Sequence, residues 1–383
     1  MTNGTATDGG NIFANGGGTI DLALSVVRNG TAFDGGGFFI LASATVRIRH
    51  SAIHDNTSAG FGAGISSRGN LTIADNTTIS DNATGGVGGG LSNSGPTTID
   101  DSKIFSNTAA STGGFRGGGG IFNLNPGTVI LHHTRVEHNT VTATANAPGM
   151  GGGISNQGVA ATVVIDGGKI GHNSVEGTNA QGGGVYNEGM LYTKKLKIEH
   201  NTSAGTGAQG GGLTNNGGTA TLTSSQVEHN TSSTPPGGIN DRAGTVALND
   251  STVKHNKPTN CAGSAVPVPG CVNRPTGPTG RDRRAQRLHV RPDQSPSPNS
   301  GRPPCRKAGV QICDRRSAAC RAKASAPSRS PARLHSAITP DRASALPRAA
   351  AMPCRWWAVC PSAAAIAAAV AVTVATDSGM LAL

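Results

Sequence analysis

Apolar and polar positions along this chain repeat with a long period. A glycine cluster, an aliphatic residue and, two positions on, an Asn return every 26 to 33 residues up to about residue 256. The clear copies are Gly88-Gly89-Gly90-Leu91-Ser92-Asn93, Gly118-Gly119-Gly120-Ile121-Phe122-Asn123, Gly151-Gly152-Gly153-Ile154-Ser155-Asn156 and Gly182-Gly183-Gly184-Val185-Tyr186-Asn187. Weaker copies sit at Ile12, Phe38, Ile65, Leu213 and Ile239. In a second mark, an aliphatic residue precedes Asn by three positions. It occurs at Val26/Asn29, Ile53/Asn56, Ile79/Asn82, Ile104/Asn107, Val136/Asn139, Ile170/Asn173, Ile198/Asn201, Val227/Asn230 and Val253/Asn256. A third mark lies between them: an apolar pair at i and i+2, then an aliphatic residue five positions later, as in Val46/Ile48 then Ile53 and Val163/Ile165 then Ile170. The i, i+2 spacing places both side chains on one face of a strand, and no helical spacing appears before residue 275.

Each unit therefore reads as three short strands separated by bends. A unit of this length buries its apolar side only by stacking on its neighbours, which defines a solenoid. Three strands per turn in parallel stacks predict an all-β, right-handed parallel β-helix of about nine coils over residues 1–260. Each coil is expected to bury about four aliphatic side chains, worth roughly 1.5–3 kcal/mol each before entropy is charged. Nine coils at about 4.8 Å spacing make a rod on the order of 40 Å long. The glycines and asparagines suit bends with φ > 0, and stacked Asn amides can hydrogen-bond from coil to coil. Gly205-Thr206-Gly207-Ala208-Gln209-Gly210 fits G-x-G-x-x-G, yet it falls inside a variable loop with no helix-forming unit after it, so no nucleotide site is expected.

The paired motifs Gly-Gly-Φ-x-Asn and Φ-x-x-Asn (Φ aliphatic) resemble the polymorphic outer membrane protein repeat of surface-exposed, adhesin-like β-helix proteins, whose fold is of the pectate-lyase type. That family favours Phe three residues before the second Asn, where this chain has Ile or Val in all nine copies. The departure points to a relative outside the founding group, such as the glycine-rich β-helix proteins of high-GC bacteria. Over residues 9–256 the resemblance implies a secreted or surface location and binding rather than catalysis. The implied partner is a surface ligand, either a polysaccharide or a protein of a host or cell surface.

Charge divides the chain. Residues 1–275 carry 15 Lys and Arg against 16 Asp and Glu, and residues 276–383 carry 17 against 5, so the net charge of +11 belongs to the tail. Glycine collapses there while Arg, Pro, Ala and Ser rise, and no apolar period remains, which predicts a disordered basic tail over 274–383. Three readings of the tail compete. It binds acidic polymers, although aromatics for stacking are confined to Trp356-Trp357, which argues against a specific nucleic-acid partner. It anchors in a membrane through the marginally apolar stretch 356–376, which is rich in Ala and contains Pro361. Or it is a functionless extension with the composition of an out-of-frame reading, as a truncated or frameshifted gene product would have.

Cysteine is absent from the repeats. Cys261 and Cys271 bracket a closing loop over 261–273, where a disulfide would shut the open end of the rod and imply an oxidising compartment; two free thiols are the alternative. Cys305, Cys313, Cys320, Cys354 and Cys360 lack zinc-site spacing with His. Met1-Thr2-Asn3-Gly4-Thr5 starts in repeat-like sequence with neither a signal peptide nor a cap, so missing upstream sequence is the simplest account.

One column carries candidate chemistry. His138, His172, His200, His229 and His255 each precede a ladder Asn, with His54 one residue further back in its own coil. Stacked in register, they suit weak binding of a transition metal or acid-dependent repulsion. The plainer reading, a solvated row beside a turn, is preferred, and no carboxylate column is expected next to it. A carbohydrate-active β-helix enzyme of the pectate lyase or polygalacturonase type is the runner-up. Such enzymes cluster Asp residues, whereas Asp75, Asp81, Asp100, Asp101, Asp166 and Asp241 are expected in different registers. The sequence therefore points to a non-enzymatic binding or spacer scaffold with no cofactor.

Overall fold

The structure, a computed structural model, describes residues 1–110, 117–143 and 148–273. The expectations for the tail, including the stretch 356–376, lie outside the described residues. Every regular element described is a β-strand, and every pairing is parallel. The strands stack as a right-handed β-solenoid. One turn reads Ile121–Leu124, Thr128–His132, Arg135–Glu137 and Thr140–Thr142. A turn thus has four strands, where the sequence pattern predicted three. The third strands form a nine-stranded sheet and the fourth strands an eight-stranded one. The first and second strands share a 16-stranded sheet, because Leu213–Thr223 and Ile239–Asn249 run unbroken through the bend between them.

The fourth strand escapes sequence reading for a physical reason. It is two or three residues long and directly follows the ladder Asn. Its buried position holds Ala32, Ser58, Thr84, Ala109, Ser203 or Ser232 in six of the eight turns, so no aliphatic period marks it. Only Val141 and Val175 are large there, and with Ala109, Ala180 and Ala208 they make a small second core.

The main core is a set of columns. Ile121, Ile154, Val185 and Leu213 stand in one register, as do Val136, Ile170, Ile198 and Val227, all essentially inaccessible to solvent. The second strands add the i, i+2 pairs, such as Val163 and Ile165 on Val129 and Leu131.

Close stacking explains the glycines. Gly151 opens its triplet at φ 64°, a left-handed conformation that side chains penalise. Gly153 has ordinary φ, yet a Cβ there would meet Gly184 O at 2.7 Å and Asn173 Nδ2 at 3.0 Å.

The Asn side chains form two continuous ladders. In one, Nδ2 of Asn56, Asn82, Asn107, Asn139, Asn173, Asn201, Asn230 and Asn256 each donates to Oδ1 of the next, ending on Asn260, at 2.9–3.1 Å. The other runs from Asn93 through Asn123, Asn156, Asn187 and Asn215 to Asp241 at 2.8–3.0 Å. Positive φ does not fall on the first ladder's Asn residues, as the sequence suggested. It falls one residue earlier, on Asp55, Asp81, Ser106, His138, His172, His200, His229 and His255. The first turn is also shifted by one. Val27, not Val26, pairs with Ile53 and points inward, so Asn29 takes the left-handed position and Gly30 the ladder position. Asn11 supplies the missing amide, its Nδ2 donating to Asn56 Oδ1 at 3.1 Å.

At the other end the chain folds across the last coil. The Sγ atoms of Cys261 and Cys271 are bonded, with Cα atoms 6.4 Å apart. Cys261 and Val268 join the main core, and Val266 N donates to Asp241 O at 2.9 Å. Asn273 Oδ1 accepts from the backbone of Cys261 and Ala262, at 2.7 and 2.8 Å.

Candidate functional site

The corner between the third and fourth strands builds the histidine column. Each imidazole stands on a residue held at φ 55–57°. Asn, Asp and His enter that region more readily than other residues, which accounts for the residue types found at this corner. The backbone then fixes all five side chains on the same exposed edge. Ring centroids of His138, His172, His200 and His229 lie 4.9, 5.0 and 5.2 Å apart with interplanar angles of 9°, 7° and 6°. His229 and His255 are 5.1 Å apart, but their planes meet at 34°. His54 is not in this column. Its register partners are Arg28 and Ser80, one row closer to the third strand.

That neighbouring row holds the carboxylates that sequence reading did not expect. Glu137, Gly171, Glu199 and Glu228 share one register, so three of the five histidines have a Glu directly before them. The signal was present as the recurring Glu-His-Asn triplet at 137–139, 199–201 and 228–230. Lys169 ties the row together, its Nζ 3.3 Å from Glu137 Oε1 and 2.8 Å from Glu199 Oε1. It reaches both because Gly171 lies between them; a Cβ there would strike the Lys169 stem at 2.4 Å. Burial pulls the Lys169 pKa down, but the hydrogen bonds it donates to Glu199 and Glu137 outweigh it and raise it above the ordinary value. The same contact with Lys169 lowers Glu199. His172 faces Gly171 and Lys169. Its pKa is lowered by burial, then by Lys169 and by the flanking His138 and His200, against the opposing charge of Glu137.

The acidic residues do not all fall in different registers, as the sequence suggested. Asp100 and Asp166 share a register with His132 between them. Asp75 and Asp101 occupy the same bend on successive turns, both at positive φ, with His50 and His133 outside them at 3.8 Å each. Asp241 ends the second Asn ladder; burial raises its pKa, and its Oδ2 has no hydrogen-bond partner among the described residues. A buried Tyr186 is a further polar centre the sequence did not flag. Its hydroxyl donates to Glu188 Oε1 at 2.7 Å and accepts from Asn216 Nδ2 at 2.9 Å, and burial followed by Glu188 raises its pKa well above the tyrosine range. The segment 205–210 leads into the strand Leu213–Thr223 and precedes no helix. Asn56 and Asn201, the acceptor positions of two apparent glycosylation sequons, are buried ladder members.

A further outward face lies over the second strands. Seven of these are five residues long, the last two belong to the unbroken strands Leu213–Thr223 and Ile239–Asn249, and together they turn alternate side chains outward over nine rungs. The middle outward row reads Asp21, Arg47, Thr72, Thr98, Ile130, Val164, Tyr192, Thr221 and Ala247 in register. Threonines at 128, 162, 219 and 245, with Met190 between the second and third, line one side. A shallow groove of 370 Å³ lies along the fourth strands, between Thr57, Thr84, Thr108 and Thr142. Among the described residues no helix is long and apolar enough to cross a membrane. Set against family models, curated proteins and solved structures, the chain has no match in any of the three.

Proposed function

We propose that this protein is a non-enzymatic binding scaffold of the adhesin-like β-helix kind, related to the polymorphic outer membrane protein repeat and working outside the cell or at its surface. The observation that carries the reading is the outward face of the second strands. Its centre is an apolar strip, Ile130, Val164 and Tyr192, bordered by Thr128 and Thr162. A rigid surface with one exposed aromatic face and a row of hydroxyls suits an extended polysaccharide, whose sugars stack on rings and hydrogen-bond to hydroxyls. The ladders support this division of labour. Buried amides are consumed in holding the rod together, and the outward rows are left for recognition. The Cys261–Cys271 disulfide supports an oxidising location.

The test is binding of the full chain to immobilised polysaccharides of differing charge and linkage. Tyr192→Ala and Ile130→Lys are expected to weaken binding to the retained polymer at least about tenfold without changing the circular dichroism spectrum. Release of shortened or unsaturated sugars by the wild-type chain would replace this reading with the carbohydrate-active one. Unchanged binding by both face variants would remove the second-strand face from the account.

A further inference from the structure

The histidine column is uniform for four residues and then changes at the step beside Glu228. His255 departs from the parallel stack by 34°, while the three preceding steps stay within 9°. At this step the donor atoms of Glu228, His229 and His255 all lie within 4.8 Å of one another. We propose that these three residues form a binding site for a divalent transition cation of the Zn²⁺ type, bridging the last two rungs of the rod.

The donor set fits that class. Two neutral imidazoles and one carboxylate are ligands for borderline cations, whereas Ca²⁺ and Mg²⁺ prefer oxygen alone. A tetrahedral site with Zn–N near 2.0–2.1 Å needs donor atoms roughly 3.3 Å apart, so the group must close by about 1.5 Å at most. Both imidazoles are exposed and turn about their side-chain torsions without disturbing the core, since the neighbouring Asn230 and Asn256 hold the backbone. Exposure also leaves the remaining coordination position to water.

The other steps of the column lack this combination. Glu137 is held by Arg135 and Lys169, at 3.3 Å each, and the next rung has Gly171 in place of a carboxylate. Glu199 is locked to Lys169 at 2.8 Å, with a lowered pKa to match. Among the described residues Glu228 meets a single cation, Lys254 at 3.3 Å, which is half exposed and can swing into solvent. The step at His229 and His255 therefore has both a turned ring and a carboxylate available at little cost.

The experiment is Zn²⁺ titration of the full chain by calorimetry after alkylating its free thiols, so that cysteines outside the Cys261–Cys271 disulfide do not compete. His229→Asn and His255→Asn are chosen because Asn tolerates the left-handed backbone these positions require. We expect one equivalent of Zn²⁺ bound by the parent chain. Each of these variants, and Glu228→Gln, is expected to bind at least about tenfold more weakly. Lys254→Gln, which frees the carboxylate, is expected to bind more tightly, and His138→Asn to match the parent. Loss of affinity in His138→Asn equal to that in His255→Asn would overturn the proposal in favour of a diffuse imidazole row. So would the absence of saturable binding, or binding that none of the variants changes.

Discussion

Asn139 Oδ1 accepts two hydrogen bonds from Asn107, one from its backbone N and one from its Nδ2, both at 3.0 Å and 32 residues apart in sequence. Both side chains are fully buried. Nδ2 of Asn139 in turn donates to Ile104 O and Glu137 O and to Asn173 Oδ1, each at 3.0 Å. One residue thus satisfies backbone groups on its own turn and on the turn before, and couples the side chains of three successive turns.

Asn139→Ala should therefore be costly. It leaves the Asn107 backbone N–H without its acceptor in the core and removes four further side-chain hydrogen bonds, those to Asn107 Nδ2, Ile104 O, Glu137 O and Asn173 Oδ1, and an unsatisfied buried group costs about 1–3 kcal/mol. A drop of at least about 3 kcal/mol in urea-derived stability is expected, against less than about 0.5 kcal/mol for exposed Asn249→Ala. Equal midpoints for the two variants would show that the ladder carries no stability.

The glycine clusters differ in what they require. Gly153→Ala places a Cβ against Gly184 O and Asn173 Nδ2, backbone and ladder atoms that cannot retreat separately. A loss of about 1–3 kcal/mol is expected. Gly17→Ala meets nothing within 4 Å and should be neutral, or stabilising by up to about 1 kcal/mol. Comparison of the two thermal midpoints checks both, and a stable Gly153→Ala would mean that the coils can separate locally.

Acid should weaken the rod at His172. Its folded pKa lies below the ordinary 6.5, so the unfolded chain takes up the proton first as pH falls. The stabilisation is complete above about 6.5 and is lost as pH drops through the lowered folded value. His172→Asn should flatten the fall of the urea midpoint between about pH 7 and 5. An unchanged slope in the variant would place the acid sensitivity elsewhere.

The closing loop should protect the C-terminal coil. Opening the ten-residue Cys261–Cys271 step by Cys→Ser at both positions releases up to about 3 kcal/mol of loop restriction in the unfolded chain. It also loosens Val268 over the core. Amide exchange should quicken first in Ile239–Asn249 and Thr252–Lys254, with Ile121–Leu124 unaffected. Uniform quickening along the rod would instead mean that the whole solenoid opens as one unit.

Much of this protein was legible in its sequence because a solenoid writes its core locally. Ile121, Ile154, Val185 and Leu213 recur at the solenoid period, and strict alternation marks the second strands. Both follow from side-chain burial on a pleated surface, which needs no knowledge of distant neighbours. The tertiary structure decided the rest, where packing overrides a local pattern. The fourth strand carries small residues under loops. Val27 replaces Val26 because the register with Ile53 shifts the first turn by one, and Asn11 supplies the ladder amide that Gly30 lacks. Glu137, Glu199 and Glu228 align beside the histidines only once insertions of different length have been looped out. The turned ring of His255 comes near Glu228, on the preceding rung, only through the stack. Spacing along the chain dictated which residues face inward, since that is a property of each strand. Which outward residues meet across turns depends on register, and register exists only in the stacked rod.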